Sequence, residues 1–318
     1  MKETDLIKKY LFPISKHFKP SINLQDDAAI LKNFDKENFI ISVDSFIQGI
    51  HCPSFLDPKS MAIRAIFCAT SDLAAMGAIP YCMFLSLAIP KNKGSSFFKS
   101  IANGIEESID RVGISLAGGD LTSYCGPLAI SVTVVGRKKT IEKALFRRGS
   151  KVGDYIGVTG FIGDAYLGLK ILEKKISISD RKHEKAAVDS FLFPPQLHKF
   201  AANLSKHAKA CIDISDGLVE DLKKLSDLAN CGVSISKEKV PISDNAKLFL
   251  KKGKFTLKDY LTAGDDYQLA FTFDKKNIKK IKVLEKKFNL KISVIGELIK
   301  KKGVFLNNKN IRGGFSHF

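Results

Sequence analysis

The chain has 318 residues, 45% of them apolar and 26% charged; this is a globular composition that excludes extended disorder, and the length favours two domains. Lysine and arginine outnumber aspartate and glutamate 51 to 33, a formal charge of +18, which attracts polyanions. The lysines are scattered or lie on helix faces without interleaved aromatics, so neither a nucleic-acid surface nor a membrane surface is expected. The six cysteines form no CxxC pair and repeat at no disulfide-like spacing, and His51–Cys52 is the only close His/Cys pair, which argues against a zinc site and points to reduced thiols.

The N-terminus, Met1-Lys-Glu-Thr-Asp, leads into no signal-peptide core, so a cytoplasmic location is expected. The pattern predicts a strand over 39–43, a small-residue helix over 59–76, a strand over 81–88, a helix over 95–112 and strands over 114–117 and 128–135. Between Ala65 and Pro90 the only charge is Asp72. Gly77 and Pro80 nevertheless divide this stretch into a helix and a strand, each too short to cross a bilayer. A basic turn from Arg137 to Gly153 separates two halves, giving expected domains of 1–137 and 138–318. Beyond it come a strand over 155–159, helices over 163–174 and 183–191, a strand over 210–214, a helix over 217–229, a strand over 268–273, a helix over 277–288 and a strand over 292–295. In the last helix Ile278, Ile281, Leu284 and Phe288 share one stripe. The mixture implies layered α/β or α+β domains.

The aspartates carry the functional signal. Asp26–Asp27 precede an apolar run, Asp44 closes the predicted strand 39–43, and Asp72 interrupts an apolar helix. Asp120 follows Gly118–Gly119 at a predicted strand end. Asp213 and Asp216 flank Ile214–Ser215, and Asp265–Asp266 precede a strand. One such aspartate is most simply a cap or turn residue, but six sites make an all-structural reading hard to sustain. A carboxylate in apolar surroundings costs several kcal/mol unless it is paired or holds a metal. Hard oxygen donors suit magnesium, which keeps some waters and is shared with phosphates. The Gly118–Gly119 step could also let backbone N–H groups approach a phosphate. The sequence contains no GxxxxGK[ST] loop, protein-kinase catalytic loop or Rossmann GxGxxG.

In chain order the motifs read Asp26-Asp-Ala-Ala, Ser42-Val-Asp-Ser-Phe-Ile-Gln-Gly-Ile-His51, Ser71-Asp-Leu-Ala-Ala-Met-Gly-Ala78, Gly118-Gly-Asp-Leu-Thr122, Phe146-Arg-Arg-Gly149, Ile212-Asp-Ile-Ser-Asp-Gly-Leu218, Ala263-Gly-Asp-Asp-Tyr267 and Ser316-His-Phe318. Over nearly its whole length the chain resembles the thiamine-monophosphate kinase family, within the superfamily that includes aminoimidazole ribonucleotide synthetase and selenophosphate synthetase. The resemblance implies a two-domain aminoimidazole ribonucleotide synthetase-like fold whose N-terminal sheet pairs across a homodimer, and a C-terminal domain closing over the nucleotide. It implies magnesium on Asp27, Ser42, Asp44, Asp72, Asp120, Asp213 and Asp216. It also implies ATP contacts from Gly119, Asp120, Arg147 and Ser215, and thiamine monophosphate contacts from His51, Asp265 and Phe315. Asp44, Asp72 and Arg147 would support direct phosphoryl transfer. The chain departs from the family pattern at Gln25, Val43, Ser123 and Gln268, and at Asp265, which stands where glutamate is usual. The rival reading, a non-catalytic nucleic-acid-binding protein, conflicts with carboxylates that would repel phosphate.

Overall fold

The structure, a computed structural model, describes residues 29–32, 36–139 and 143–316. The chain folds as two mixed sheets with helices between and around them. The first sheet holds β1 (Ala29–Lys32), β2 (Glu37–Ile47), β3 (Ile79–Pro90), β4 (Ser115–Tyr124) and β5 (Ala129–Lys139), in the order β1-β2-β5-β3-β4. Only β3 and β4 run parallel in it. The second has seven strands: β6 (Tyr155–Thr159), β7 (Ala208–Asp213), β8 (Gly232–Ile235), β9 (Leu269–Phe273), β10 (Ile292–Ile299), β11 (Gly303–Leu306) and β12 (Lys309–Asn310). Their order is β12-β11-β8-β10-β6-β9-β7.

Two helices, α1 (Pro58–Ala75) and α2 (Ser95–Val112), cover one face of the first sheet. Asp57 caps α1 by accepting the Ser60 N–H at 3.0 Å, and Pro58 suits the first helical position. Gly77, at φ 70°, turns the chain directly into β3. The stretch that could have suggested a membrane span is therefore this helix and strand, and no described helix is long and apolar enough to cross a membrane.

The second sheet carries α3 (Asp164–Leu172), α4 (Arg181–Leu192), α5 (His198–Leu204), α6 (Leu218–Leu228), α7 (Asp244–Lys251), α8 (Leu257–Thr262) and α9 (Ile278–Phe288). On α9, Ile281 and Leu284 are buried with Ile278 and Phe288 beside them, as the stripe predicts. A third apolar cluster joins Ala74 and Ala75 of α1 to Leu145, Phe200, Phe271 and Ile281. Helix α1 thus packs on the first sheet and on the second half of the chain, which explains why it is apolar nearly all round.

Two expectations fail. Asp44 and Asp120 do not end strands. β2 continues past Asp44 because its alternation still delivers Phe46 to the core. β4 runs through Gly118–Gly119, neither of which has a positive φ. Gly119 is required there by proximity, since a Cβ on it would sit 2.1 Å from the Leu85 carbonyl oxygen of β3.

Candidate active site

The site is organised by a polar stripe on α1. Arg64, Cys68 and Ser71 recur at i, i+4 and i+7, which places them on one helix face, and all three are buried. Ser71 Oγ donates 2.9 Å to Asp213 at the end of β7. The next residue, Asp72, accepts a hydrogen bond from Ser42 Oγ of β2. Two turns earlier, Arg64 pairs with Asp265 at 2.7 Å. One helix therefore ties β2, the end of β7 and the 263–267 turn together. Asp44, half-buried on β2, shares the helix-facing side with Ser42, and its charge reaches Cys68 on α1.

The turn after β7 forms the other wall. The Asp265 N–H donates to the Ser215 carbonyl at 2.9 Å, and the Tyr267 N–H to that of Ile214 at 2.8 Å. Asp216 and Asp221 share Lys224, at 2.6 and 2.8 Å. Asp221 also accepts the N–H groups of Asp216 and Gly217, both at 3.1 Å. Burial alone would lower the Lys224 ammonium, but Asp221 and Asp216 outweigh it and hold it above its ordinary value. Arg147 is half-buried and within electrostatic reach of Asp221. Its neighbour Arg148 is exposed and lies over the Phe146 ring at 5.2 Å, so Arg147 is the one turned toward this wall. The Phe315 N–H donates to the Asp216 carbonyl at 2.9 Å, which draws the C-terminal segment onto the same loop.

The remaining candidates lie further out. His51 accepts the Ile47 N–H on Nδ1 at 2.9 Å and packs on Phe46, ring centres 5.5 Å apart. Asp120 is exposed on β4, in the register row of Ser45, Ser131 and Ser86. By strand alternation that row is on the opposite face from Ser42 and Asp44. Asp27 and Phe318 lie outside the described residues. A cavity of about 890 Å³, lined by Tyr155, Lys239, Lys275, Glu297 and Asn307 among others, opens on the second sheet away from this group.

Among the described residues, no three His, Cys, Asp or Glu side chains form a ready-made ion cage. The donor set around α1 is nonetheless all oxygen (Ser42, Asp44, Asp72 and Asp213), and that chemistry fits magnesium, which completes its shell with waters and phosphate oxygens. Sequence reasoning overlooked Arg64, Ser71 and Lys224 as parts of the site. The signal for the first two was a polar residue at helical spacing inside an apolar helix. For Lys224, the signal was its place eight residues after Asp216 and three after Asp221, on one face of α6.

Comparison with known proteins gives concordant matches. Residues 25–138 match the family described as AIR synthase related protein, N-terminal domain, and residues 151–308 match its C-terminal domain. A thiamine-monophosphate kinase from Buchnera aphidicola subsp. Schizaphis graminum is 35% identical, over 99% of this chain and 98% of that protein. The thiamine-monophosphate kinase of Escherichia coli K12 is 30% identical, over 93% of this chain and 90% of its own length. A solved structure described as AaThiL complexed with AMPPCP and TMP superposes with a TM-score of 0.87 at 27% identity, covering 100% of this chain and 97% of that one.

Proposed function

The chain belongs to the thiamine-monophosphate kinase family, and on that footing we propose that it transfers a phosphoryl group from ATP to thiamine monophosphate, yielding thiamine diphosphate and ADP. The observation that carries this reading is the adjacent pair Ser71–Asp72, one reaching the end of β7 and the other β2. It gathers carboxylates from both halves of the chain at one helix. The solved relative complexed with AMPPCP and TMP supports both ligands.

The nucleophile is a phosphate oxygen of the acceptor. Its second pKa is about 6, so it is ionised near pH 7 without a general base. The residues therefore have to bind, align and neutralise two anions. Arg147 supplies a fixed positive charge for the ATP phosphates, with Gly119, Asp120 and Ser215 as the other nucleotide contacts. Ser42, Asp44, Asp72, Asp213 and Asp216, with Asp27, would hold magnesium on the α1 side of the first sheet, and Asp120, on its other face, would hold an ion only apart from them. Bound there, the ion would offset phosphate charge and polarise the transferred group. His51, Asp265 and Phe315 would meet thiamine monophosphate.

The uncovered face of the first sheet supports a homodimer. Val43, Thr133 and Phe84 form one register row across β2, β5 and β3, with Val43 61% and Phe84 45% exposed. Tyr81 stacks on Phe39 on the same sheet, and apolar area of this kind marks an association surface. The division of the chain near residue 138 and a cytoplasmic location are part of the same proposal.

The test is ADP release by the purified protein with ATP and magnesium, offered thiamine monophosphate, thiamine or no acceptor. Release that requires thiamine monophosphate and forms thiamine diphosphate supports the reading; release indifferent to the acceptor refutes it.

A further inference from the structure

Arg64 is fully buried in the middle of α1, an expensive place for a charge. Its guanidinium donates to the Phe191 carbonyl, pairs with Asp265 and lies 3.7 Å from the Phe191 ring centre. Its Nε has no hydrogen-bond partner among the described residues. On its other side is Phe46, 5.6 Å from the guanidinium carbon, and Phe46 in turn packs on His51. Arg64 thus stands between Asp265 and the segment that carries His51.

The turn it holds is strained. Asp265 has φ 66° and Tyr267 φ 47°, a region that non-glycine residues rarely occupy unless the surroundings impose it. Gly264 is forced to be glycine, because a Cβ there would lie 2.3 Å from the Ser215 carbonyl oxygen. The turn is pinned to residues 214–215 on one side and to Arg64 on the other. The Asp265 side chain remains 31% exposed, so its carboxylate still presents a face to solvent.

We infer that Arg64 is a positioning residue for the acceptor site: it clamps Asp265 and the 263–267 turn, so that the carboxylate meets the acceptor as half of an ion pair rather than as an isolated anion. The inference rests on the reading of Asp265 as an acceptor-facing residue. Its consequence is that acceptor binding, rather than nucleotide binding, depends on the guanidinium fork. Lysine cannot reproduce that fork toward both the Phe191 carbonyl and Asp265.

The experiment measures kcat and the KM values for thiamine monophosphate and ATP in wild type, Arg64→Lys and Arg64→Met, with folding checked by circular dichroism. Arg64→Lys, which keeps a positive charge opposite Asp265, serves if Arg64→Met does not fold. In Arg64→Met the acceptor KM is expected to rise about tenfold or more, the ATP KM to hold, and kcat to change little. Arg64→Lys is expected to fall between that variant and wild type. An unchanged acceptor KM in folded variants, or equal rises in both KM values, overturns the inference. A wild type that does not use thiamine monophosphate overturns instead the reading beneath it, and shows this before any variant is made.

Discussion

Ser71 Oγ lies 2.9 Å from the Asp213 carboxylate, and this single hydrogen bond joins a helix of the first half of the chain to the end of a strand of the second. Asp72, the next residue, turns instead to Ser42. A carboxylate on each side of the junction is therefore held by a serine.

Replacing Asp72 or Asp213 by asparagine keeps the shape and removes one charge. Either change is expected to lower turnover about 10²-fold or more, as losing one preorganised charge stabiliser does. Steady-state assays over a magnesium titration check this. Near-wild-type rates for both variants at limiting magnesium would remove these residues from the metal-holding set.

Lys224 lies between Asp216 and the fully buried Asp221. Lys224→Met strands a buried carboxylate, and is expected to cost about 3 kcal/mol in urea unfolding. The double variant Lys224→Met/Asp221→Asn should recover much of that loss. Equal losses in the single and double variants would show that the pair is not what stabilises this loop.

The elements of the fold were largely legible because periodicity reports which face is buried. The helix over 95–112 and the strand over 155–159 coincide with Ser95–Val112 and Tyr155–Thr159. Short pieces such as α5, α7, α8, β8 and β11 were not legible, since four to eight residues give too little pattern to distinguish from loop. Asp44 and Asp120 were misplaced for a related reason. A polar residue after an apolar run looks like a strand end, but Asp44 points at a polar stripe on α1 and Asp120 lies on an exposed edge strand. The ion pair of Arg64 with Asp265 spans 201 residues, and no local pattern encodes that distance.

The exposed apolar row on the first sheet gives a prediction about assembly. Wild type is expected to be dimeric by light scattering, and Phe84→Glu or Val43→Lys to shift it toward monomer, because each buries a charge against an apolar face. A dimer of unchanged stability in both variants would place the interface elsewhere.

His198 supplies the pH dependence. Its Nε2 lies 2.8 Å from the Thr70 carbonyl oxygen, to which it donates, and burial pushes its pKa down from 6.5 to about 4. Between those values the unfolded chain binds a proton on this ring that the folded protein does not. Stability from the neutral ring is therefore fully present above about pH 6.5 and is lost as the pH falls toward 4. At pH 5 the loss amounts to about 2 kcal/mol. Other groups also titrate on acidification, so the measurement is a difference. Urea unfolding of wild type and His198→Gln at pH 7.5 and pH 5 compares a ring that must be protonated on unfolding with an amide that carries no proton equilibrium. Wild type should lose about 2 kcal/mol more than the variant over that interval. Equal losses would mean that His198 is already solvated enough to titrate in the folded state, and that its contact with Thr70 does not hold the ring neutral.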